Sequence, residues 1–311
     1  MSWEHYHPVW DADAYSPALY RCAPWSGLRR FAYDYVRNRK PASIVELGTH
    51  YGASTSAFLQ AMKDEPYQGK ICVVDTWEGD EGTVYQDGED VYGTFTDMLA
   101  RVYPDVPLSI RKMTFDEALL LQQGHGIDLL HIDGSHAYAD VKRDYNTWRP
   151  LIKADGAIFL HDVGGDLLMG EEMGSARLFR EIAREEPYVL SLPMSCGLGM
   201  VFQNREPYEI VRDALSGGYY EEQFFLEDSA IKEYARALYF ENRDLHAHLA
   251  GIRKDKEILE RYAKEKERAE VRNEETVHAL MQQAEDQNAS IKEIEEHIKE
   301  LIARLERAMQ P

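Results

Sequence analysis

From residue 42 to residue 202 the chain alternates between short, nearly continuous apolar runs and stretches with helical spacing. The runs are Ser43–Leu47, Lys70–Asp75, Leu108–Lys112, Ile127–Ile132 and 157–160, with 188–192 and 199–202 as closing strands. Helical patterns fill the gaps at 54–63, near Val91–Val102, and at 116–122, 139–151 and 176–184. Strands apolar on both sides must be buried on both faces, and helices between them act as crossovers. The expectation is an α/β fold, Rossmann-like, with a mostly parallel seven-stranded sheet covered on both faces. Residues 27–38 read as a helix that Pro41 stops. Residues 1–40 form a cap segment rich in aromatics: Trp3, Tyr6, Trp10, Tyr15, Tyr20, Trp25, Phe31, Tyr33 and Tyr35. The core then spans 41–205.

Beyond it the pattern changes. Residues 206–245 read as a helical extension and 246–311 as a long C-terminal helix or coiled coil. Ile291, Ile294, Ile298, Leu301 and Leu305 are spaced three, four, three, four, an a/d seam. Residues 264–275 are almost wholly charged and suit a solvated helix equally well. The seam predicts a homo-oligomer, and isoleucine at both positions favours more than two strands. A chain that stops so soon after its seam can also be a fragment of a longer protein.

Charge and cysteine usage exclude other classes. With 55 acidic against 35 basic residues the net charge is −20, which repels phosphate backbones and argues against nucleic acid as the main partner. Cys22, Cys72 and Cys196 are odd in number and form no CxxC pair, so neither a thiolate zinc site nor a disulfide framework is expected. Residues 1–30 show no signal-peptide pattern and no apolar run is long enough to span a bilayer. A cytoplasmic location follows as the expectation.

Chemistry concentrates at the strand ends. The first strand runs into Glu46-Leu-Gly48-Thr-His-Tyr51-Gly52-Ala-Ser54-Thr, a glycine loop opening a helix. Such a loop lets the backbone approach a ligand, and the helix start favours an anionic group. It is not GxGxxG, which weakens a nicotinamide-cofactor reading. The second strand ends in Val74-Asp75-Thr76-Trp77, where an acid suits a ribose diol. The fourth ends in His131-Ile-Asp133-Gly134-Ser-His136 and the fifth in His161-Asp162. Ligands of open α/β sheets bind outside the carboxyl ends of the strands, so these acids and imidazoles should converge there. Two carboxylates and an imidazole can form a divalent-metal site, and a further histidine can act as a base near neutral pH.

Together ELGTHYGAST, VVDTW, DLLHIDGSHAYADVKRDYNTW and GAIFLHDV resemble methyltransferase family 24, a class I, S-adenosylmethionine-dependent family. They are also similar to the metal-dependent sugar O-methyltransferases. The resemblance covers about residues 41–204. It implies that Glu46 and the glycine loop (Gly48, Tyr51, Gly52, Ser54) hold the methionine part of S-adenosylmethionine, that Asp75 binds the ribose, and that the Met113-Thr114-Phe115 turn borders the adenine. Thr76, Trp77 and Asp133 are further cofactor-binding candidates. In the metal-dependent relatives an acid after strand four and an acidic pair after strand five bind magnesium, and a histidine three residues beyond the first acid is the base. That pattern points to Asp133, His161 and Asp162 for a divalent cation such as magnesium, and to His136 as base. Here, however, the pair is His161-Asp162 rather than two acids. If no metal binds, Asp133 or His161 becomes the rival base.

The resulting expectation is an O-methyltransferase acting on a sugar or glycan hydroxyl. The coiled-coil tail adds an architectural analogy to enzymes that cap bacterial surface polysaccharides. The alternatives are small-molecule natural-product O-methylation and a non-catalytic adaptor that oligomerises through its tail.

Overall fold

The computed structural model describes residues 3–15, 25, 27–79, 90–122, 126–164, 167–168, 171–224, 245, 248–261 and 274–308. Tyr20, Cys22, residues 80–89 and most of the charged stretch 264–275 lie outside these. The chain divides into two compact units, residues 1–226 and residues 227–310.

The strands of the first unit are β1 (Ser43–Leu47), β2 (Lys70–Asp75), β3 (Leu108–Lys112), β4 (Ile127–Ile132), β5 (Ile152–His161), β6 (Val189–Leu192) and β7 (Leu198–Phe202). They form one sheet in the order β3-β2-β1-β4-β5-β7-β6. The first five are parallel, and β7 and β6 are antiparallel. This is the seven-stranded, mostly parallel, Rossmann-like arrangement expected from the apolar runs. The order reverses between β1 and β4, so the crevice for a ligand opens there. A separate two-stranded ribbon pairs Leu167–Leu168 with Glu171–Glu172.

The helices are α1 (Asp11–Tyr15), α2 (Arg29–Arg39), α3 (Ala53–Asp64), α4 (Val91–Val102), α5 (Phe115–Leu121), α6 (Tyr138–Trp148), α7 (Gly174–Glu185) and α8 (Arg205–Leu215). Alternate strand residues feed two cores. Ile44, Val73, Leu129 and Phe159 join α2, α3 and α4 on one face. Val45, Val74, Leu130 and Ile158 join α6 and α7 on the other. The aromatic N-terminal segment packs into the first core through Trp25 and Phe31.

One boundary differs from the sequence reading. Strand β5 starts at Ile152, not 157: a register shift between Ile127 and Leu129 lets Lys153–Gly156, exposed at Ala154 and Asp155, continue the strand. Helix α8 touches β5, β6 and β7 and lies in the first unit.

In the second unit residues 248–261 are helical, as is α9 (Glu274–Ala308). Ile291 and Ile298 are buried in one cluster with Leu249, packed by Leu245, Ile252 and Ile294. Arg253 Nη2 donates to Glu295 Oε1 at 2.8 Å. The seam is therefore covered from within the chain over this stretch. Among the described residues no helix is long and apolar enough to cross a membrane.

Candidate active site

The glycine loop after β1 is shaped by what lies against it. Gly48 has φ +89°, and a Cβ there would stand 2.0 Å from the carbonyl oxygen of Asp133. Only glycine combines that backbone with that approach. The loop is fastened to β2 by Asp75. Its Oδ2 accepts the Thr49 and His50 amides at 2.8 and 2.9 Å, and Oδ1 accepts the Trp77 amide at 2.7 Å. A carboxylate offers about four acceptor sites, so three backbone bonds leave room for a ribose hydroxyl.

Glu46 is spent differently. It is fully buried and accepts hydroxyl bonds from Thr49, Ser54 and Thr55. His131 Nδ1, on the paired position of β4, lies 3.0 Å from its Oε1. Glu46 thus ties the loop and the first turn of α3 to the sheet from beneath.

At the ends of β4 and β5 the acids meet imidazoles. His161 Nδ1 lies 3.1 Å from Asp133 Oδ1 and 3.3 Å from Asp162 Oδ1. Its Nε2 donates to the Ser195 carbonyl at 3.0 Å. His136 Nε2 faces Asp162 Oδ2 at 3.0 Å. Burial by itself would lower the His161 pKa, but the charges and hydrogen bonds of Asp133 and Asp162 carry it well above the usual histidine value. Burial likewise opposes ionisation of Asp162, yet its bonds to His136 and His161 hold it far below the carboxylate range. Asp162 has φ +60°, a strained backbone for a non-glycine residue, where function commonly stores strain.

Asp133, His161 and Asp162 bring their ligand atoms within 4.8 Å of one another, so the expected trio does converge. The set does not fit magnesium. That ion takes oxygen ligands in near-octahedral array, and here the third donor is an imidazole nitrogen. Moreover, Nε2 must carry a hydrogen to meet the Ser195 carbonyl, and a hydrogen on Nδ1 bridges both carboxylates. The imidazolium itself supplies the positive charge between the acids.

A cavity of about 350 Å³ opens over the β1–β2–β4 ends. Of the expected cofactor residues, Gly48, Asp75, Thr76, Thr114, Phe115 and Asp133 line it. Glu46, Tyr51, Gly52, Ser54 and Trp77 do not; they are buried around the loop they shape. Thr114 caps α5, exchanging hydrogen bonds with Glu117. Phe115 lies across Gly134, where a Cβ would meet its ring at 2.6 Å. The sequence reading did not single out Asp116, Asp140, Arg143 and Asp144, which complete the far wall. Asp144 carried a usable signal. It stands among Val141, Tyr145 and Trp148 on the buried side of α6, an acid in an apolar stripe.

Parts of this chain are similar to known proteins. Residues 45–163 match the family model described as a methyltransferase domain, family 24. An uncharacterized protein, y4gI, from Sinorhizobium fredii (strain NBRC 101917 / NGR234) is 36% identical over 177 residues. That match covers 57% of this chain and 19% of the relative, so the chain spans about a fifth of the relative's length. Among solved structures, the Podospora anserina methyltransferase PaMTH1 with bound S-adenosylhomocysteine aligns at TM-score 0.48 and 18% identity, covering 64% of this chain and 90% of that one. An O-methyltransferase from Bacillus cereus in complex with the same product aligns at 0.43 and 16%, covering 57% and 81%. The residues that match the methyltransferase-domain model of family 24 span the glycine loop, Asp75, Asp133, His136 and the His161-Asp162 pair.

Proposed function

We propose that the domain transfers a methyl group from S-adenosylmethionine to an acceptor hydroxyl, with His136 as the base and without a metal. The reaction is an in-line displacement. The acceptor oxygen bonds to the methyl carbon as the sulfonium S–C bond breaks, and the hydroxyl proton leaves to a base. The carrying observation is the His136–Asp162 pair beside the cavity wall formed by Asp133–Ser135. With Asp162 ionised, Nε2 carries the hydrogen, and Nδ1, buried just behind the cavity wall, is the nitrogen left to take a proton. His161 serves here as the fixed cation that holds Asp133 and Asp162 in register. It is a poor base, because both its nitrogens already face acceptors.

The acceptor class we favour is a sugar or glycan hydroxyl, on the strength of the motif resemblance to sugar O-methyltransferases. A screen of saccharides, phenols and amines, read by release of S-adenosylhomocysteine, tests both parts. Turnover on saccharides supports the reading. Turnover confined to phenols removes the sugar, and turnover confined to amines removes O-methylation.

A further inference from the structure

The wall of the cavity beyond Phe115 is lined by three acids and one cation: Asp116, Asp140, Asp144 and Arg143. Arg143 gathers the acids. Its Nη1 donates to Asp140 Oδ1 at 2.9 Å, its Nη2 to Asp144 Oδ1 at 3.3 Å, and its Nε lies 3.8 Å from Asp116 Oδ2. The two outer acids are accessible, with side chains 62% and 39% exposed for Asp116 and Asp140, whereas that of Asp144 is 3% exposed. Burying one carboxyl under two exposed ones costs free energy unless the buried group has a task or a proton.

Adenine presents a donor at N6 and an acceptor at N1 side by side. An ionised carboxylate can only accept, so it satisfies N6 and repels the N1 lone pair. A neutral carboxyl carries one donor and one acceptor and meets both. Thr114, which also lines the cavity, is already committed to Glu117, and Phe115 offers a ring without hydrogen-bonding groups.

We propose that Asp144 recognises the adenine edge of the methyl donor as a neutral acid, its hydroxyl on N1 and its carbonyl oxygen on N6. This rests on the donor-site reading of the cavity. Burial pushes the Asp144 pKa up to about 6, against the pull of Arg143 and with support from the charges of Asp116 on α5 and Asp140 on α6. A bound adenine would remove water further and favour the proton more. The amide of asparagine offers the same donor and acceptor pair at every pH.

Calorimetric titration with S-adenosylhomocysteine at about pH 6 and about pH 8 tests this. Wild-type affinity should fall at least about fivefold from the lower to the higher pH, the scale of one net hydrogen bond. Asp144→Asn should bind within about twofold at both pH values, and Asp144→Ala should bind about tenfold more weakly at about pH 6, on the same scale. Asp144→Ala binding like wild type, or Asp144→Asn losing as much as Asp144→Ala, overturns the proposal. So does a wild-type affinity for S-adenosylhomocysteine that does not change with pH. If wild type binds no S-adenosylhomocysteine at either pH, the donor site itself is misread, a different failure.

Discussion

The ends of β2 and β5 each present an acid to the crevice, and each acid is satisfied in a different way. Asp75 at β2 is held by three backbone amides, donors that do not titrate. Asp162 beyond β5 is held by two imidazoles, donors whose protons can leave. The first arrangement preorganises a loop for a ligand. The second can accept and pass on a proton, which methyl transfer to a hydroxyl requires. In the reading proposed here, the strand ends of one sheet separate binding from proton handling by the kind of donor that each acid receives.

The largest effect should come from His136. A positioned base contributes roughly 10²–10⁴-fold, so His136→Ala should lose turnover on that scale and keep its affinity for S-adenosylhomocysteine. Loss of turnover in His161→Ala with little loss in His136→Ala would reverse the roles of the two histidines.

His161 should instead appear in stability. Its raised pKa contributes stability that is present below the ordinary histidine range and lost as pH rises through its folded value. The lowered pKa of Asp162 contributes stability present above the carboxylate range and lost as pH falls. Thermal unfolding of the wild type should therefore peak between these limits. His161→Gln, which leaves two acids facing each other without a cation, should lower and flatten that peak. An unchanged pH profile in His161→Gln would show that the imidazolium does not hold the cluster.

Smaller still are two expected non-effects. Exhaustive chelation should leave turnover within about twofold, since the cation between the acids is a side chain. A drop that magnesium restores would return the metal to the site. Removing residues 227–311 should leave affinity for S-adenosylhomocysteine unchanged, because the cavity and its supporting core lie in residues 1–226. Weakened binding in the truncated protein would tie the tail to the donor site.

Much of this was legible in the sequence for a simple reason. Parallel strands are apolar on both faces, and the polar residue that ends each run marks the crevice. Ser43–Leu47, Lys70–Asp75, Leu108–Lys112 and Ile127–Ile132 show that signal without ambiguity. What stayed hidden depends on three-dimensional neighbours. Glu46 reads as a cofactor residue from its position, yet three hydroxyls and His131 enclose it. Asp144 lies inside a helix rather than at a strand end, so strand-end logic passes over it. The isoleucine stripe of α9 reads as a face in need of a partner, and the cluster with Leu245, Leu249 and Ile252 was invisible because those residues sit more than a helix length away in sequence.

The claim that binding and proton handling are separate is tested most directly by titrating S-adenosylhomocysteine into Asp75→Ala and His136→Ala side by side with the wild type. Asp75→Ala removes an acceptor for the ribose and the anchor of the glycine loop, and charged hydrogen bonds of this kind are worth about 1.5–3 kcal/mol each. The account predicts affinity reduced by at least about tenfold in a folded Asp75→Ala protein and unchanged in His136→Ala. Near-normal affinity in Asp75→Ala, or equal losses in both, would contradict it.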